Sequence, residues 1–67
     1  MAKFNDILYD LLICHDVSQR QVAEEIGVSN ATISRLVSGS SRYPDVDVLL
    51  KLADYFGVTT DYLLGRE

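Results

Sequence analysis

Gln19 to Ser38 reads QRQVAEEIGVSNATISRLVS, and apolar residues recur in it at helical spacing twice, once on each side of a glycine. Val22, Ala23 and Ile26 fall on one face of a helix predicted from about Gln19 to Ile26. Ahead of it, Ser18-Gln19-Arg20-Gln21 has the form of a capping box, with the serine oxygen serving the Gln21 amide and the Gln21 side chain reaching back. Gly27 is free to take the positive φ of a tight turn. Ser29 is then placed to cap a second helix, from about Asn30 to Ser38, whose apolar stripe is Ile33, Leu36 and Val37. Both helices are shorter than the roughly 12 residues that hold a helix together alone in water. They must be fixed by packing on each other and on the rest of the chain. The small side chain of Ala23 permits close approach, and Val22, Val28, Ile33 and Leu36 supply a shared core.

Upstream, Phe4, Ile7, Leu8, Leu11 and Cys14 share one helical face, which predicts a first helix ending near His15, with Asp16 suited to a left-handed conformation. Downstream, Gly39 to Pro44 is a loop by its turn residues. Asp45 is expected to cap a fourth helix running to Phe56, with Val46, Leu49, Leu52, Ala53 and Phe56 inward and Gly57 as its stop. Thr59 caps a last short helix carrying Tyr62, Leu63 and Leu64. No alternating stretch is long enough for a strand. The expectation is an all-α, compact five-helix bundle over residues 1–67 as a single domain, without internal repeat, linker or low-complexity segment.

Composition narrows the function. Sixty-seven residues with 48% hydrophobic and 24% charged side chains have globular rather than disordered composition. So short a chain buries only about 60% of its unfolded surface, for a stability of roughly 3–10 kcal/mol. Little room remains for a substrate pocket or cofactor cradle, and none is expected. One cysteine forms no internal disulfide, and with a single histidine it does not close a structural zinc site. No apolar run approaches the roughly 20 residues of a membrane span and no secretory leader is evident, so a cytoplasmic protein is expected. No nucleophile–base pair, paired acids or phosphate loop suggests an enzyme. The net charge of −4 runs against a nucleic-acid partner, but it is unevenly spread. Between Ser18 and Pro44 three arginines face two glutamates, leaving −5 elsewhere. Asp45, Asp47 and Asp61 stand at predicted helix starts, where the dipole favours them.

The spacing across Gln19 to Ser38 is that of a helix-turn-helix, whose second helix can enter the DNA major groove. The likeness extends further. Ser18-Gln19 with Ala23, Gly27-Val28-Ser29, Ile33-Ser34-Arg35-Leu36, Gly39, Pro44, Leu49 to Ala53, Gly57-Val58-Thr59 and Asp61-Tyr62-Leu63-Leu64-Gly65 resemble, in order and spacing, the Cro/C1-type (XRE) repressor family. The resemblance implies a lambda repressor-like DNA-binding bundle that recognises double-stranded operator DNA, usually as a symmetric dimer. It implies a transcriptional regulator, a repressor of bacterial or phage origin acting on a near-palindromic site.

Placing Ile33, Leu36 and Val37 inward sends Ala31, Ser34, Arg35 and Ser38 outward, with Asn30 and Thr32 at the margins. By the resemblance, base contacts come from Asn30, Ala31, Thr32, Ser34 and Arg35. Arg35 suits a bidentate pair with guanine, Asn30 suits adenine or a phosphate, and Ala31 and the Thr32 methyl suit the thymine methyl. Gln19 resembles the family glutamine that holds a phosphate at a helix N-terminus. Arg20, Ser38, Ser40 and Arg42 are the other phosphate contacts it implies. Many members also carry an arginine at the position of Leu12 and a glutamate at that of Val37, joined as an ion pair. Here both are aliphatic, a replacement that can be neutral or stabilising, and Leu12 is expected to touch Val37. Serines at 40 and 41, where basic residues are common, predict weaker binding with a shallower salt dependence.

Each of these polar residues also has a plainer reading as a solvated helix residue, and Tyr43 before proline is expected to pack on the loop. Cys14 and His15, adjacent and on different faces, are not expected to hold a metal; Cys14 is expected in the core. Tyr9 and Ile13 lie four apart on the face of the first helix opposite its core stripe. Val48, Tyr55 and Tyr62, with Leu64, form a second apolar set, which suits a homodimer interface or ordinary surface exposure. The acidic balance keeps open a rival reading, an antitoxin or anti-repressor module that uses the same fold to bind protein.

Overall fold

The computed structural model describes residues 3–41 and 43–66, which fold into five helices without a strand. They are α1 (Phe4–Cys14), α2 (Gln19–Ile26), α3 (Asn30–Ser38), α4 (Val46–Phe56) and α5 (Thr60–Leu63). Their ends are set by local chemistry. The Gln21 N–H donates to Ser18 Oγ at 3.0 Å and the Ser18 N–H to Gln21 Oε1 at 3.5 Å, so the capping box at α2 is closed in both directions. Asp16 has φ 54° and turns the chain between α1 and α2. Gly27, at φ 78°, ends α2 and lets the Val28 N–H donate to the Ala23 carbonyl at 2.9 Å. Ser29 opens α3 by accepting the Thr32 N–H at 3.2 Å.

Phe4, Leu8, Val22, Ile33, Leu52 and Leu63 are the largest side chains wholly withdrawn from water, each worth about 1.5–3 kcal/mol of burial. Among the described residues no polar side chain is buried. α3 packs against both α2 and α1, while α4 holds α5 and touches α2. The inner stripe of α3 is thus held from two sides and its other face left open.

Three expectations are corrected. Cys14 is exposed, and Leu12 takes the inward place on α1. Leu12 and the half-buried Val37 belong to the same apolar cluster. On α4, Val46 is 72% exposed and Val48 only 8%, so the buried stripe runs through Val48, Leu52, Ala53 and Phe56. Asp45 stands at the N-cap of α4 without a side-chain hydrogen bond to the helix.

Candidate nucleic-acid interface

The site is a surface, and α3 is its centre. With Ile33 and Leu36 buried, Asn30, Ala31, Ser34, Arg35 and Ser38 are all exposed. Thr32 is half-buried. Its hydroxyl lies 2.8 Å from Ser29 Oγ, so it is held in the cap and only its methyl is left to offer. Arg35 is the only charged side chain on α3. Among the described residues no carboxylate pairs with it. An exposed guanidinium without an internal partner retains its fork of donors for guanine or phosphate.

The residues expected at phosphates divide. Gln19 is the first residue of α2 and half-buried beside the closed cap. Arg20 is exposed but bound to its own helix, Nε 3.2 Å from Glu24 Oε1. After α3, Ser38 Oγ donates to the Arg35 carbonyl at 3.2 Å and lies 3.1 Å from Ser40 Oγ. The Ser41 N–H donates to the same Arg35 carbonyl at 3.2 Å. This serine knot occupies the Arg35 carbonyl and ties the chain leaving the helix to the turn that carries Arg35. Arg42 lies outside the described residues.

Tyr43 does not pack on its loop alone. Its ring meets Phe4 of α1 edge-on at 6.4 Å. That contact puts Lys3 and Asn5 beside Gly39 and Ser41, a juxtaposition that helical periodicity does not reveal because it joins distant segments. A shallow cleft on the other side brings Asp45 near Thr32 and Arg35, a negative charge close to the surface that would meet phosphate.

The second apolar set is divided. Val48 belongs to the core, and Tyr55 is half-buried, stacked edge-on against Phe56 at 5.0 Å. Tyr62 is 43% exposed and Leu64 half-buried. Tyr9 and Ile13 are exposed as expected. His15 sits edge-on to Phe56 at 5.0 Å. Among the described residues no group of three His, Cys, Asp or Glu side chains could hold a metal, and no helix is long and apolar enough to cross a membrane.

Comparison with known proteins agrees with this geometry. The helix-turn-helix family model matches residues 11–63, and the chain belongs to that family, of the Cro/C1 (XRE) type. The HTH-type transcriptional regulator ImmR of Bacillus subtilis (strain 168) is 40% identical over 50 residues, which cover 75% of this chain and 39% of ImmR. The HTH-type transcriptional activator BcrR of Enterococcus faecalis is 37% identical over 65 residues, 97% of this chain and 31% of BcrR. The chain therefore spans well under half the length of these two relatives. The crystal structure of a transcriptional regulator from Listeria innocua superposes with a TM-score of 0.85 at 33% identity, covering 94% of this chain and 58% of that one.

Proposed function

We propose that residues 1–67 form one DNA-binding domain that represses transcription by occupying a near-palindromic operator as a homodimer. The observation that carries this reading is the polar outer face of α3, with an exposed Arg35 that forms no ion pair among the described residues. Asn30, Ala31, Thr32, Ser34 and Arg35 read base edges, and Gln19, Arg20, Ser38, Ser40 and Arg42 position the helix on phosphates. In the dimer two copies of α3 enter successive major grooves about 34 Å apart. The second copy docks on the C-terminal side, where Tyr62 is exposed and Tyr55 and Leu64 are half-buried. Val48 takes no part, being in the core. The domain acts in the cytoplasm, where its operator is.

Selection from a random DNA pool at two salt concentrations tests the reading. Enrichment of a two-fold symmetric motif is expected, and its half-site separation gives the dimer geometry. Arg35→Ala should lose about 1–3 kcal/mol of discrimination at one base pair while the fold persists. A reporter placed downstream of the motif gives the sign of regulation, which matters because one relative is named an activator.

The acidic surface outside α2 and α3, with Tyr9 and Ile13 exposed on α1, favours a second reading, an antitoxin or anti-repressor module. In that case no motif is enriched, and Arg35→Ala leaves a complex with a protein partner intact.

A further inference from the structure

We infer that the polar groove between the start of α1 and the turn after α3 seats a phosphate of the DNA strand flanking the bases read by α3. This rests on the DNA-binding reading above and adds Lys3, Asn5, Ser41 and Tyr43 to the interface. The groove encloses about 430 Å³ and is lined by Lys3, Phe4, Asn5, Gly39, Ser41 and Tyr43.

Its walls are fixed by packing. Phe4 is buried at the head of α1 and carries the Tyr43 ring edge-on. Ser41 is held by its N–H on the Arg35 carbonyl. The floor is Gly39, at φ 86°, and a Cβ there would stand 3.5 Å from Asn5 Nδ2. The Asn5 amide thus lies directly over the residue that ends α3.

Lysine, asparagine, serine and tyrosine are side chains that hold phosphate oxygens without reading sequence. Each can donate, Lys3 adds a positive charge, and among the described residues no carboxylate lines the groove. In a chain with ten acidic residues against six basic ones, that composition suits an anion. Position agrees with chemistry. α3 has nine residues and is therefore about 13 Å long, close to the roughly 12 Å width of the major groove. A helix entering with its first residues on the bases brings its last turn to the groove's rim. There Ser38 passes into Gly39 and the polar groove opens.

The test measures binding to a random duplex and to the sequence enriched from the random pool, between 50 and 200 mM salt. Lys3→Gln should lower the salt slope by about 0.9, so that its deficit against wild type shrinks about threefold across that range. Asn5→Ala with Tyr43→Phe should weaken both duplexes about five- to fiftyfold, with base preference unchanged. Tyr43→Phe keeps the ring on Phe4 and removes only the hydroxyl. As a readout needing no substitution, the Asn5 side-chain amide resonances should shift when duplex is added to the wild-type chain.

Variants that bind both duplexes as wild type does, with a silent Asn5 amide, would overturn the inference and leave the DNA reading standing. A change of base preference in the Asn5/Tyr43 variant would overturn it too, since the groove would then be reading sequence. If the wild-type chain binds no duplex at any salt, both readings fall together.

Discussion

The chain builds one turn twice, against the expectation of no internal repeat, and uses the two copies differently, although no whole helix pair recurs in sequence. Between α2 and α3 the sequence runs Ala23, Ile26, Gly27, Val28, Ser29, Ile33; between α4 and α5 it runs Ala53, Phe56, Gly57, Val58, Thr59, Leu63 at matching spacing. Both glycines are left-handed, at φ 78° and 68°. In both, the valine N–H reaches back to the alanine carbonyl, at 2.9 and 3.0 Å. In both, a hydroxyl accepts the N–H three residues on, at 3.2 and 3.0 Å. The helices that leave the two turns are unlike. α3 continues for nine residues with a polar outer face, whereas α5 stops after four and its sequence is Thr-Asp-Tyr-Leu. The turn therefore fixes how two helices meet, and the residues beyond it determine whether the second helix offers a long polar face.

If the two turns are equivalent in packing, their anchors should be equivalent in energy. Ile33 and Leu63 are both fully buried, and replacing either with alanine should cost about 2–5 kcal/mol, measured as a shift in the urea midpoint. In a domain of this size that is a large part of the total stability. A loss at Leu63 much smaller than at Ile33 would show α5 to be an accessory rather than part of the core.

The sharpest functional contrast is Arg35→Ala. It should remove about 1–3 kcal/mol of base discrimination and leave the unfolding midpoint nearly unchanged, because Arg35 is exposed and unpaired among the described residues. Asp61→Ala, on the first turn of α5, should leave base preference untouched in the same selection.

The glycines test the turns themselves. Apart from the adjoining residues, no atom of the described residues lies within 4 Å of where a Cβ would stand at Gly27 or Gly57, so alanine meets only the backbone cost of positive φ, about 1–2 kcal/mol. Asparagine, which tolerates that region better, should recover part of it at both positions. Unequal losses on thermal unfolding would mean that one turn is strained by its neighbours.

These contrasts also separate what local sequence dictates from what packing decides. α2 and α3 are legible to the residue, because a capping box, a left-handed glycine and a second cap leave no freedom in where they start and stop. The phase of α4 is not. Val46, Val48, Leu49, Leu50, Leu52, Ala53, Tyr55 and Phe56 put apolar groups almost all round it, so periodicity does not say which are inward. Contact with α2 and α5 makes that choice, burying Val48 and exposing Val46 and Leu50. The same ambiguity exchanges Cys14 for Leu12 on α1. Of the candidate site, the outer face of α3 is legible because a helix with a narrow apolar stripe has only one side to turn outward. The groove at Lys3 and Asn5 is not, since it depends on Phe4 meeting Tyr43 from across the chain.

The smallest expected effect on stability separates packing from recognition within α2 itself. Arg20 is held by Glu24 at 3.2 Å, both side chains being mostly exposed, and such a pair contributes no more than about 0.5 kcal/mol. The pairing nevertheless opposes the role proposed for Arg20 at a phosphate, since the guanidinium would have to leave Glu24 and a second carboxylate, Glu25, stands next along the helix. Glu24→Gln should therefore leave the unfolding midpoint within a degree or two while strengthening binding to any duplex, with the salt slope steeper by up to about 0.9. Unchanged affinity and slope would mean that Arg20 faces away from the DNA, and that this helix contributes its cap and Gln19 alone.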